Sequence, residues 1–247
     1  EDYYYLFYGR ALLERAKLES NAQTRQAYFL EALAALQEAR ELNPLNTDHT
    51  ANLARLHRNW AEIELDAEQR KQKLLKALSY YKEATQLSPN NAQLYNEWGL
   101  VYYLLGDVES ALAKYEQSLK LDDRFDQTYV LIGDIYLARK DWPRVIASYK
   151  KAVELNPRLL QGWSALGYAY SQLGRVADAI TANLKILEYA PQDYGTLKNL
   201  AILYNQEGSF DTALSYAEQA LAGAPQEEKQ VLEGFVAQLK AHLGQGQ

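Results

Sequence analysis

Apolar residues recur along most of this chain at steps of three and four, the spacing that gathers side chains on one face of an α-helix. The pattern is closed off at intervals by Pro44, Pro89, Pro157, Pro191 and Pro225, where a helix cannot continue. From residue 92 it becomes periodic. The segment WGLVYYLLGD, beginning at Trp98, is followed by near-copies beginning at Ile132, Leu166 and Leu200, each 34 residues after the last. Four gapless windows result, 92–125, 126–159, 160–193 and 194–227. In each, a large apolar residue opens a first helix: Tyr95, Tyr129, Trp163 and Leu197. Trp98-Gly99, Ile132-Gly133, Leu166-Gly167 and Leu200-Ala201 follow, then Tyr102, Tyr136, Tyr170 and Tyr204 on the same face. A second helix carries Ala111, Val145, Ala179 and Ala213, with Ser118, Ala152, Ile186 and Ala220 two turns on. Glycine inside a helix costs about 1 kcal/mol relative to alanine, yet the apolar spacing runs straight through Gly99, Gly133 and Gly167. The reason must be close approach of the paired helix.

The same signature reads in stretched form before residue 92. Ala32 with Ala39 precedes Pro44, and Ala77 with Ala84 precedes Pro89; the leading helices carry Tyr8-Gly9 and Leu53-Ala54. These units, 2–46 and 47–91, have 45 residues each, eleven more than the later ones. Eleven residues make about three helical turns, so both apolar faces stay in phase if the helices are simply longer. Ser20 with Gln23, and Asp66 with Gln69, read as helix starts. The final stretch, 228–247, is expected to be a capping helix with Val231, Leu232, Phe235, Leu239 and Leu243 on its buried side.

The order aromatic, Leu-Gly, Tyr, then Ala, aromatic and finally Pro, at a period of 34, resembles the tetratricopeptide repeat. Departures are Asp123 for the proline, Val145 at the small position, and Asn183 and Ala217 where Tyr115 and Tyr149 supply the aromatic. The resemblance implies an all-α, right-handed superhelical solenoid of antiparallel helix hairpins in a single domain, 1–247, with two long-armed repeats, four regular ones and the cap. It also implies a groove lined by the first helix of each pair. By that resemblance the groove takes Arg10, Glu14, Asn52, Arg55, Arg58 and Asn59 from the long units. The regular units add Gln93, Asn96, Glu97, Leu100, Tyr103, Gln127, Val130, Asp134, Tyr168, Gln172, Lys198, Asn199 and Asn205. The lining is basic early, then rich in amides and tyrosines, a surface suited to an extended peptide. The family's carboxylate clamp is broken here by Asn96, Glu97 and Leu100, so chaperone tails are not expected ligands. Its asparagine ladder is reduced to Asn52 and Asn199.

Composition narrows the function. The chain has 26 basic and 32 acidic residues, and after position 200 the only basic side chains besides His242 are Lys229 and Lys240, which gives no nucleic-acid surface. No apolar run is long enough for a bilayer span. There is no Cys, hence no disulfide and no thiolate metal site. His49, His57 and His242 form no metal-ligand pair, and His57 stands where a core aromatic belongs. No phosphate loop, nucleophile elbow or placed carboxylate pair occurs. Neither catalysis nor a cofactor is expected.

Three readings follow. The first is a non-catalytic scaffold holding a peptide or a partner's helix. The second is an accessory domain of a bacterial membrane protein: EDYYYLF and NPLNTDHTANLARLHRNW are similar to soluble tails of the O-antigen ligase or polymerase type, on either side of the membrane. A chain opening on Glu1 is then expected to be a processed or excised piece. The third is self-assembly through the first helix, where Tyr3, Tyr4, Tyr5, Phe7 and Tyr8 crowd together.

Overall fold

The computed structural model describes residues 1–244. Among them are thirteen α-helices and no strand. The last three positions of the expected cap, 228–247, lie outside the described residues. The helices fall into two compact units, Glu1–Arg124 and Phe125–Gln247.

The first unit holds α1 (Asp2–Leu18), α2 (Ala22–Leu42), α3 (Thr47–Ile63), α4 (Ala67–Leu87), α5 (Ala92–Leu104) and α6 (Val108–Leu121). Each odd helix packs on the next as a hairpin, and hairpins stack through α2 on α3 and α4 on α5. The first four helices are 17, 21, 17 and 21 residues long, against 13 and 14 for α5 and α6. The eleven additional residues of each long unit therefore all lengthen helices. Caps mark the joints. Asp66 accepts from the Gln69 backbone N–H at 2.8 Å. At α2 the cap is Asn21, which accepts from both Gln23 and Thr24 at 3.0 Å. The expected cap Ser20 lies one residue too early, because the carboxamide oxygen of Asn21 is the one that reaches the free amides of the first turn.

The second unit holds α7 (Asp126–Ala138), α8 (Trp142–Leu155), α9 (Leu160–Gln172), α10 (Val176–Leu187), α11 (Tyr194–Glu207), α12 (Phe210–Ala222) and α13 (Gln226–Gly244). Three hairpins, α7 with α8, α9 with α10 and α11 with α12, stack in order, and α13 closes the row on α12. Leu232, Val236 and Leu239 are the buried face of α13. Val231 is 75% exposed, contrary to the sequence reading. At 100° per residue it falls outside the stripe that runs through 232, 236 and 239.

The helical glycines mark contact points. A β-carbon on Gly99 would lie 2.6 Å from the Tyr115 ring, and one on Gly133 would lie 2.7 Å from the Tyr149 ring. Gly167 faces Asn183 in the same way. Each partner stands sixteen residues after its glycine, and in the fourth repeat the pair is Ala201 with Ala217, both fully buried. In that fourth repeat the two changes compensate: Ala217 replaces the aromatic, and the first position holds the methyl group of Ala201. In the long units the partner comes 27 residues on, as with Gly9 and Leu36, which is sixteen plus the added eleven.

Candidate functional site: a basic basin on α1, α3 and α5

In the first unit, residues of α1, α3 and α5 surround a cavity of about 380 Å³. Its walls are Arg10, Leu13, Glu14 and Lys17 from α1, Asp48, Asn52, Arg55, Arg58 and Asn59 from α3, and Gln93 from α5. Helical spacing explains each group: Arg10, Glu14 and Lys17 follow at four and three, and Asp48, Asn52, Arg55 and Asn59 at four, three and four.

The polar groups are partly committed to one another. Arg55 reaches across to α5 and pairs with Glu97 at 2.9 Å. Burial works to lower the pKa of Arg55, but the charge and hydrogen bond of Glu97 outweigh it and hold the guanidinium firmly protonated. Glu97 also accepts from the Tyr81 hydroxyl at 3.1 Å, and from Gln93 at 2.9 Å. Burial first, and the neighbouring Glu97 second, push the Tyr81 hydroxyl well above its ordinary pKa. Arg58 donates to the Asn59 carboxamide at 2.9 Å and lies 3.5 Å from Glu62. Asn52 donates to the Asp48 carbonyl at 2.7 Å. Lys17 pairs with Glu14 at 2.8 Å, both well exposed, a contact worth little. Among the described residues no hydrogen bond or ion pair is recorded for the exposed Arg10 side chain. Lys17, Arg55 and Arg58 each stand against a carboxylate, Glu14, Glu97 and Glu62, and Asp48 adds one more negative charge to the lining, so Arg10 is the one of the four cations not paired with a carboxylate.

Seven of the groove residues expected from sequence thus converge: Arg10, Glu14, Asn52, Arg55, Arg58, Asn59 and Gln93. Glu97 supports them from behind. Asn52 and Asn59 are more enclosed than a groove surface requires, at 4% and 6% exposure. Asn96 is half-buried with its Oδ1 unpartnered, Leu100 is half-buried, and Tyr103 is exposed. Lys17, Leu13 and Asp48 were missed, although Lys17 is two turns beyond Arg10 and Asp48 one turn before Asn52. In the second unit Gln127, Tyr168, Gln172 and Asn199 are exposed and Asn205 is half-buried. Asp134 is taken up by the Tyr149 hydroxyl. Val130 is a correction: at 4% exposure it is core, clustered with Val145, Ile146 and Tyr149. An apolar side chain gains by burial at a place where other repeats carry Asn96 and Lys198. Lys198 pairs with Glu228 at the rim of a second, mainly apolar cavity of about 420 Å³ between α11 and α13, floored by Ile202, Leu232 and Phe235.

No group of three or more metal-ligating side chains occurs among the described residues. No helix among them is long and apolar enough to cross a membrane.

Helix hairpins stacked in series are the architecture of an interaction scaffold built from repeats. Models of the tetratricopeptide repeat match residues 92–125 and 164–228, and one described as TPR repeat matches 133–174. The model of the plant-specific mitochondrial import receptor subunit TOM20 matches 4–100. Among solved structures, the chain is similar to PilF of Pseudomonas aeruginosa, at 18% identity and a TM-score of 0.65, over 94% of this chain and 96% of that one. It is similar to YrrB, described as a TPR protein with an unusual peptide-binding site, at 19% identity and a TM-score of 0.61, over 80% and 96%. MamA from Desulfovibrio magneticus aligns at 20% identity with a TM-score of 0.52, over 70% and 96%. At these identities the likeness is one of fold. No curated protein matches the chain. The chain belongs to the tetratricopeptide repeat family, whose repeats are generally a non-catalytic, protein-interaction fold.

Proposed function

We propose that the basin on α1, α3 and α5 holds an extended, acidic stretch of a partner protein. The observation that carries this reading is the set of four basic side chains around one cavity, with Arg10 uncommitted. Asn52 and Asn59 are fixed by bonds within α3, so the amide-lined floor is already ordered before a ligand arrives, which reduces the entropy lost on binding. Charge at the rim, by contrast, governs approach and selectivity. A polar lining suits the backbone and carboxylates of an extended peptide better than the apolar face of a helix.

The test is fluorescence anisotropy with a labelled decapeptide rich in Asp and Glu, beside its Lys-substituted counterpart. The acidic peptide should bind, and more weakly as salt rises. Arg10→Glu should weaken it by about tenfold while leaving the far-UV circular dichroism unchanged. Equal binding of the two peptides, or an unchanged affinity in Arg10→Glu, removes the proposal.

A further inference from the structure

The repeats 160–193 and 194–227 compare position by position, since each residue of the first has a counterpart 34 residues on. In the later repeat Tyr204 of α11 and Tyr216 of α12 stack face to face, with ring centroids 5.5 Å apart and 2° between their planes. In the earlier one Tyr170 of α9 stands where Tyr204 does, but the counterpart of Tyr216 is Ala182 of α10. The chain supplies a methyl group there in place of a ring. Beside Tyr170 and Ala182 lies a cavity of about 260 Å³. Trp163, Leu166 and Tyr170 follow on α9 at steps of three and four, and Val153 of α8 joins Ala182 to complete the apolar lining. Val153, Leu166, Tyr170 and Ala182 are buried. Trp163 is half-buried, and its indole Nε1–H donates to the Pro157 carbonyl at 2.9 Å. Exposed Lys150 and Thr181 also line the cavity, so it is reached from solvent between α8 and α10.

We propose that this cavity receives one aromatic side chain of a partner protein, its ring lying against Tyr170 as Tyr216 lies against Tyr204. The choice of occupant rests on the chain's own copy of the site. The same tyrosine, at the same place in its helix, is covered by a parallel ring one repeat later, an arrangement that gains beyond area burial alone. Size agrees. A dry apolar cavity of roughly 150 Å³ takes up benzene, so 260 Å³ has room for one ring with its substituent. A cation is the other group that covers rings in these repeats, as Lys114 covers Trp98 at 3.8 Å. Tyr170 already has its cation, because Arg175 lies 4.7 Å from the ring centroid. What the cavity can still gain is apolar and planar. Its walls are ordered beforehand by burial and by the Trp163 bond, which reduces the entropy lost on binding. This goes beyond the acidic-peptide reading: it uses no residue of the basin and opens between second helices, where the basin is built on first ones.

The probe is N-acetyltyrosinamide, which carries the ring on a peptide-like backbone. The readout is the indole N–H resonance of Trp163, identified among the four tryptophans by its loss in Trp163→Phe. Titration should shift that resonance saturably, and N-acetylleucinamide should bind about fivefold more weakly or worse. The bare side chain, p-cresol, should compete. Ala182→Tyr supplies the ring from within and should abolish the shift. Ala182→Leu, a smaller filling, should do the same, so the test does not hang on one variant folding; circular dichroism checks both. A Trp163 resonance unmoved by N-acetyltyrosinamide overturns the proposal, and so does equal binding of the leucine derivative. Uptake of p-cresol without N-acetyltyrosinamide overturns it too, because the cavity then takes free phenols and no side chain carried on a backbone. A shift that persists in folded Ala182→Leu puts the ring elsewhere and has the same consequence.

Discussion

Replacing Gly133 and Gly234 by alanine applies one substitution to two helix interiors in the same unit. On helix propensity alone both should stabilise, by about 1 kcal/mol, because alanine loses less backbone entropy on folding. At Gly234 nothing lies within 4 Å of the new methyl group, so that gain should be realised in full. At Gly133 the methyl group would sit 2.7, 2.9 and 3.2 Å from three atoms of the Tyr149 ring. The ring has no exposure and its hydroxyl is held by Asp134, so it cannot swing aside without breaking that bond. Forcing a methyl group into such packing costs about 1–3 kcal/mol. Since the propensity gain is common to both sites, the difference between the variants isolates the contact, and it should be about 1–3 kcal/mol with Gly133→Ala the less stable. Urea unfolding followed by circular dichroism measures it, with unchanged slopes as the check that the transition is the same. Gly133→Ala as stable as Gly234→Ala would refute the account of why glycine occupies the first helix.

Other outcomes follow from single positions. His57 is buried and stacks on Tyr80 at 5.6 Å, and burial, with Lys76 and Lys73 nearby, lowers its pKa from 6.5 to about 4. A depressed histidine stabilises fully above the unfolded value and loses that contribution as pH falls from about 6.5 towards 4, on the order of 3 kcal/mol in all. His57→Phe should flatten the stability profile in that window, and a profile parallel to the native one would contradict the burial argument. Lys140 adopts a left-handed φ of 57° at the turn position that Gly106, Gly174 and Gly208 fill in the other repeats. The left-handed conformation costs about 1–2 kcal/mol outside glycine, partly offset by the greater freedom of unfolded glycine. Lys140→Gly should therefore raise the urea midpoint by an amount worth about 0.5–1 kcal/mol, and a lowered midpoint would show the strain to be absent.

The repeat was legible because its period is carried by packing. Gly99 announces a close neighbour even before that neighbour is known, and the eleven-residue excess of the long units maps onto helix because only whole turns keep two faces in phase. The basin was half legible. Arg10, Arg55 and Arg58 could be placed on the right helix faces by counting, but the commitment of Arg55 to Glu97, 42 residues away, depends on the distance between helices and not on spacing along either. Val130 and Val231 failed in opposite directions for a shared reason. One residue step turns a helix by 100°, so an apolar residue at the edge of a stripe is buried or bare according to what stands opposite. Asn21 displaced Ser20 because the two neighbouring residue types are equivalent as text, and only the backbone decides which oxygen meets the amides.

Within each unit the hairpins touch mainly those next to them in sequence. A tether drawn from both ends would thus meet resistance in instalments, each released hairpin paying out its own length of slack. Fully extended, 34 residues span roughly 115 Å and 45 residues roughly 150 Å. The molecule therefore carries two gauges of extensible link in one thread, the longer before the shorter.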